Sequence, residues 1–425
     1  MNLTMSQKER DHLPAISAVS TGRITQKQAA QQLSISVRQV RRLLRRYEEE
    51  GDAGLMHRSR GRPSNRRIAP EVKERAVELV EKHYCDFGPT LAAEKLAQRD
   101  GIIVSKETLR QWMIDKGIHK PKPRKVTHLQ WRERRPCFGE LLQIDGSKHS
   151  WLEGRGAFEP DLINAVDDAT GRVFMQFAPA ESTEAVMRLL HAYITRYGRP
   201  LAIYADLHSI YRTTRKASVE EQLEGIEAQT QVGRALRELD IEYIPAYSPQ
   251  AKGRVERSFR TNQDRLIKEM RLEQICDMGA ANAFVDEHFI DDYNERFAVE
   301  PASDHDAHRS AEAFDLDATF SYQEMRTVTN DYTISYYNTR YQIARESVAP
   351  GLRGGKVTVE RRLDDSIHVR FRDSYLAVTE LPPAQPKVGQ RKRPKARKEP
   401  TSVIPAADHP WRQDYRDMPD GPIYP

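Results

Sequence analysis

Asp145, Asp206 and Glu256 lie in three short stretches where no local structural need explains an acid: Leu141-Leu142-Gln143-Ile144-Asp145-Gly146-Ser147, Leu201-Ala202-Ile203-Tyr204-Ala205-Asp206, and Ser248-Pro249-Gln250-Ala251-Lys252-Gly253-Arg254-Val255-Glu256-Arg257. Hard divalent cations take oxygen ligands and are held by a few carboxylates, with phosphate and water completing the shell. Three carboxylates can hold two such ions, and a pair about 3.5–4 Å apart activates the attacking oxygen and stabilises the leaving oxygen of an in-line displacement at phosphorus. Mg²⁺ is the expected ion, with Mn²⁺ as the other candidate. No protein nucleophile is needed, and no Ser or Tyr stands in a comparable context. A single Asp at a strand end is commonly a turn former or helix cap. The three contexts together, in this chain order, carry the metal-site reading.

The elements that must position these acids follow from the pattern. The first two stretches are apolar runs of strand length. In the third, Ser248 suits an N-cap and Pro249 the first helical position, with Val255, Phe259, Leu266 and Met270 as the inward stripe and Glu256 on its flank. Residues 161–167 and 172–178 read as two more strands joined by the turn Asp168-Ala169-Thr170-Gly171. Asp167 and Asp168 are therefore assigned to turn chemistry rather than to the metal. His149 and His208 flank the first two acids, where contact with DNA or a water and a structural role are both open.

With Asp-Gly-Ser, Asp-x-His-Ser and Ser-Pro-Gln-x-Lys-Gly-x-Val-Glu-Arg in order, the chain resembles the DDE transposases of the retroviral-integrase superfamily, of the bacterial insertion-sequence kind grouped as ISNCY. The match runs from about residue 140 to 271. It implies a ribonuclease H-like core, a mixed sheet with helices on both sides, whose acidic triad maps onto Asp145, Asp206 and Glu256. Three departures stand out. The interval from Asp206 to Glu256 is long, at 50 residues, with a polar insert over about 212–231. Leu207-His208-Ser209 replaces the usual Asn-Gly, and Gln263 stands where relatives often carry Lys or Arg, while Arg260 sits one turn after Glu256.

Charge is divided along the chain. Residues 1–135 carry 29 Lys/Arg against 16 Asp/Glu, whereas 136–382 carry 29 against 41, under a formal net charge of +5. A basic leading part attracts phosphates, and an acidic core suits cation binding. The three cysteines, Cys85, Cys137 and Cys276, form no Cys-x-x-Cys pair, which argues against a disulfide framework or a zinc module. With no long apolar run and no signal-peptide pattern, the expected location is cytoplasmic, on the nucleoid when bound to DNA.

The first 135 residues read as two helix-turn-helix units. In the first (1–56), residues 25–33 form a short helix and 37–47 the recognition helix, with Ser36 and Gln39 as a capping box. Val37, Val40, Leu44 and Tyr47 share the inner face, leaving Arg38, Arg41, Arg42 and Arg45 for the major groove. In the second (69–119), residues 90–98 position and 106–116 read, with Leu109, Trp112 and Met113 inward and Lys106, Arg110 and Gln111 outward. Between them, 57–68 contains Arg60-Gly61-Arg62-Pro63, which resembles an AT-hook tracking an A·T-rich minor groove through Arg60 and Arg62; a plain linker fits as well. A second basic linker, 120–137, leads into the core at 138–300.

After a connector (301–325), short alternating strands at 326–381 read as a small SH3-like β-barrel, with strands at 327–337, 341–343, 356–361, 367–371 and 375–378. A basic, Pro-rich tail over 382–425 reads as disordered. The resemblance implies an enzyme that binds the terminal inverted repeats of a mobile element, cleaves a 3′ end and joins it to target DNA. Lys252, Arg254 and Arg260 would contact DNA beside two metal ions, and subunits would self-associate to bring both ends together. A DNA-binding regulator derived from such an enzyme, or a nuclease of the same fold without strand transfer, are the alternatives.

Overall fold

Side-chain caps mark out the amino-terminal helices in a computed structural model of the chain, which describes residues 5–57, 67–121, 133–206, 209–211, 213, 215, 228–246, 253–382 and 409. Helix α1 (Gln7–Ser20) opens on a reciprocal box, in which the Ser6 side chain accepts from the Glu9 N–H and the Glu9 carboxylate accepts from the Ser6 N–H. The same box, Thr25 with Gln28, starts α2 (Gln26–Gln32). Ser36 caps α3 (Val37–Glu50) through the Gln39 N–H, but the expected return bond from Gln39 is not formed, so only half of that box exists. Helix α1 is an addition to the expected pair of helices. It supplies Ile16 to a core with Ala29, Ala30, Val40, Leu43 and Leu55.

Prolines at the first helical position begin α4 (Pro70–His83) and α5 (Pro89–Asp100), and Gly101, at φ +67°, ends α5. Ser105 caps α6 (Lys106–Asp115). Leu109 and Met113 are buried, as the pattern requires. Trp112 is only half-buried, with the Lys73 ammonium 5.9 Å from its ring centre. These helices belong to one compact unit, residues 1–127, and everything from 128 onward forms a second.

The second unit is built on a five-stranded sheet of β1 (Leu141–Lys148), β2 (Asp161–Asp167), β3 (Val173–Ala178), β4 (Ala202–Ala205) and β5 (Glu242–Pro245), in the order β3-β2-β1-β4-β5. The first three run antiparallel, and β4 and β5 join parallel to β1. This is the ribonuclease H-like order. Alternation assigns the faces. Phe174 meets Tyr193 of α7 (Thr183–Tyr197) on one side. On the other, Asn164 and Met175 meet Ser258 and Asn262 of the long helix α9 (Gly253–Leu272), which follows α8 (Gln231–Glu238) in the chain. Val255, Phe259, Leu266 and Met270 form the buried stripe of α9. Its expected start at Ser248 and Pro249 lies outside the described residues.

The outer edge of β3 would expose unpaired backbone groups. Asn282 of α10 (Met278–Phe284) donates to and accepts from the Phe177 backbone, and Asn294 of α11 (Ile290–Phe297) does the same for Val173. Beyond them, the carboxy-terminal strands form two small antiparallel sheets on a common core that includes Ile334, Leu352, Val359 and Val369. The expected strand at 327–337 is broken into β6 (Tyr322–Thr327) and β7 (Thr333–Tyr336), with Tyr332 at positive φ in the break. Strands β8 (Thr339–Ile343), β9 (Lys356–Arg361) and β10 (Ile367–Phe371) follow. The final expected strand divides into β11 (Ser374–Leu376) and β12 (Val378–Leu381), one in each sheet. Among the described residues no helix is long and apolar enough to cross a membrane.

Candidate active site

Register brings the first two acids level. Gln143 of β1 pairs with Tyr204 of β4 in the parallel ladder, so Asp145 and Asp206 each lie two residues beyond a matched position. Neighbouring strands run roughly 4.8 Å apart. Both acids are half-buried. Beneath Asp206, the Tyr243 hydroxyl donates to its backbone carbonyl at 2.6 Å, and the Tyr211 ring stacks parallel to Tyr243 at 5.8 Å.

Tyr211 reports the charge gathered here. Burial pushes its phenol well above the ordinary value, and the carboxylates of Glu181, Asp206 and Asp145 push it further the same way. Glu181, just before α7, does not stand out in the sequence. A β-carbon on Gly146 would stand 2.3 Å from a Glu181 carboxylate oxygen, so only glycine leaves that carboxylate where it is. The signal available was the glycine directly after Asp145.

Glu256 occupies the first turn of α9, exposed, where a negative charge suits the helix dipole. Two links tie this turn to the sheet. Asn164, opposite Asp145 in the β1–β2 register, donates to the Ser258 hydroxyl at 2.6 Å, and that hydroxyl donates on to the Val255 carbonyl. Arg254 pairs with Asp168 at 2.7 Å. Asp145 and Asp206 thus leave neighbouring strands at the same level, with the Glu256 turn anchored to the face of the sheet that carries Asn164. Among the described residues, however, no three His, Cys, Asp or Glu side chains are arranged as a closed metal-ligand set.

The donors present suit a hard cation. All are oxygens, and two buried amide oxygens beside Asp145, Gln143 Oε1 on the same strand face and Asn164 Oδ1 opposite, have no hydrogen-bond partner.

Asp167 behaves as a turn former, its carboxylate accepting from Thr170 N, Thr170 Oγ1 and Gly139 N. Burial raises its pKa, while those bonds oppose the rise. Asp168 does not serve the turn: its side chain is fully buried against Gln143 and Arg254. Arg254, expected to face DNA, is therefore engaged inside the protein, 17% exposed at its side chain. Arg260 is exposed one turn beyond Glu256. His149 accepts from the Ser150 N–H and packs by Trp151.

On α3, Arg38, Arg41, Arg42 and Arg45 are exposed, Arg41 touching Gln26 at 3.1 Å and Arg45 lying 3.9 Å from Glu49. On α6, Lys106 and Gln111 are exposed, Gln111 donating to Asp115, while Arg110 makes two bonds to Glu107. Arg60, Arg62, His208 and Lys252 lie outside the described residues.

Fold and site together define a ribonuclease H-like protein with helix-turn-helix units ahead of its acidic strand ends. Models described as homeodomain-like domains match residues 6–55 and 39–113. The chain is 43% identical to a Sinorhizobium fredii protein named as a transposase, y4bF, over 88% of this chain and 81% of that one. It is 27% identical to the transposase for insertion sequence IS1202 of Streptococcus pneumoniae, over 93% and 92% of the two chains. The catalytic core domain of BIV integrase aligns with 35% of this chain and 82% of its own, at 22% identity and a TM-score of 0.24. The chain belongs to the family of transposases that the first two relatives represent.

Proposed function

We propose that this transposase cuts at the ends of its own mobile element and joins the freed ends to new DNA, with Asp145, Asp206 and Glu256 as the catalytic acids. The observation that supports this reading is the parallel register of β1 and β4, which sets Asp145 and Asp206 each two residues beyond the Gln143–Tyr204 pair. The three acids would hold two divalent ions, Mg²⁺ or Mn²⁺. When bound, such ions lower the pKa of an attacking water or hydroxyl and offset charge on the phosphate and the leaving oxygen.

The chain's own groups divide the remaining tasks. Exposed arginines of α3 grip end DNA, and α6 adds a second contact. Arg260, on the exposed face of α9, holds a phosphate near Glu256. Tyr243 fixes the backbone of Asp206, so the carboxylate is presented from a braced strand end. Cleavage breaks a phosphodiester bond with water and leaves a 3′-hydroxyl; joining forms a new phosphodiester bond between that hydroxyl and the target while the target's own 3′ oxygen leaves. Both events use one site, so two or more subunits are required to hold both ends.

Purified protein incubated with a labelled duplex from the DNA flanking its gene, plasmid target and Mg²⁺ tests this against Asp145→Asn and Glu256→Gln. Joined products from the wild type alone are expected. Tight duplex binding without cleavage or joining under Mg²⁺ or Mn²⁺ would instead favour a regulator, and cleavage without joining a nuclease.

A further inference from the structure

We propose that Asp168 is a positioning residue for cation binding, clamping the first turn of the Glu256 helix to the strand that carries Asp145. Its Oδ1 accepts from Gln143 Nε2 and from an Arg254 guanidinium nitrogen, both at 2.7 Å. Its Oδ2 accepts from the Arg135 backbone N–H at 2.8 Å. Gln143 lies two residues before Asp145 on the same face of β1, and Arg254 two residues before Glu256. One carboxylate therefore fixes the near neighbours of two triad acids against each other.

The turn cannot account for Asp168. Asp167 already supplies the turn acceptors, with both of its oxygens occupied. The guanidinium of Arg134 also bonds the Asp168 and Ala169 carbonyls, so the segment entering the core braces the same corner. A buried ion pair is a poor source of stability, because desolvating both charges offsets their attraction. What it does provide is direction, since one guanidinium N–H and one amide N–H meet the same carboxylate oxygen. Groups that orient ligands in this way typically change metal affinity or activity by roughly 10–100-fold when removed.

This inference rests on the reading that Asp145, Asp206 and Glu256 hold the ions. The test uses the full chain with Mn²⁺ alone as calorimetric probe, alongside joining of the flanking duplex over a Mg²⁺ series. Asp168→Asn and Arg254→Gln should each weaken Mn²⁺ binding by about tenfold or more and raise the Mg²⁺ requirement for joining to match, leaving duplex affinity in gel shifts unchanged. Arg254→Lys, which keeps the charge, should recover most of the loss, and the double variant should be little worse than either single. If Asp168→Asn does not fold, Arg254→Gln decides, because Asp168 keeps its bonds to Gln143 and Arg135. Unchanged Mn²⁺ affinity in a folded variant, beside an active wild type, overturns this inference alone. A wild type that neither binds Mn²⁺ nor joins DNA overturns it together with the proposed function.

Discussion

The helix-turn-helix unit around α3 and the sheet around β1 handle polar side chains in opposite ways. In the first, Ile16, Ala29, Val40 and Leu43 make a core of carbon, and the arginines stand outside it. Stability and contact chemistry sit on different atoms. Around β1, Gln143, Asn164, Asp168 and Ser258 are buried and linked to the acid-bearing turn and strand. There the scaffold is itself polar, so changes in packing and changes in chemistry cannot be separated. On the proposed function, the first arrangement suits an interface with a polyanion, and the second suits acids that share small cations.

Substitutions at the two regions should therefore fail differently. The largest effect belongs to Asp145→Asn and Glu256→Gln, which should cut joining by more than about 100-fold, beyond the range of an orienting partner, with duplex binding by gel shift intact. Leu43→Ala should cost roughly 2–5 kcal/mol in denaturant melts, and weaken duplex binding only as far as the unit unfolds. Arg38→Ala and Arg41→Ala should do the reverse: melting unchanged, and the slope of log affinity against log salt falling by about 1 for each phosphate no longer neutralised. If either arginine variant abolished Mn²⁺ binding, the separation of tasks would be wrong.

The smallest effect tests the second helical unit. Burial, then the bond to Asp100, push the Tyr84 phenol up to about 12. Because the folded value lies above the unfolded one, this contribution is whole below about pH 10 and disappears as pH rises towards about 12. Tyr84→Phe should cost about 1 kcal/mol at neutral pH and flatten the decline in melting temperature across that window.

Local pattern carried much of this molecule. Apolar runs ending in Asp placed β1 and β4, the stripe from Val255 to Met270 placed α9, and Leu109 with Met113 placed α6. What escaped were effects of distance. Asp168 meets Arg254 across 86 positions, and no window around Asp-Asp-Ala-Thr-Gly distinguishes a turn acid from a buried clamp. Glu181 escaped for the same reason, since its proximity to Gly146 depends on the whole β2–β3 hairpin. Leu43 escaped because α1, with its own amino-terminal box, buries a wider face of α3 than α2 alone would. The break at Tyr332 needs a positive φ that a tyrosine rarely adopts, so continuous alternation misleads there.

The edge of β3 carries a consequence for assembly. If copies gather around DNA as proposed above, each copy's sheet would meet every other at high local concentration, the condition under which open strands recruit one another. By answering Val173 and Phe177 with Asn294 and Asn282 from its own chain, the core closes that edge at those positions before a second copy arrives. Any association of copies would thereby be steered away from indiscriminate strand addition and left to surfaces whose side chains can choose a partner.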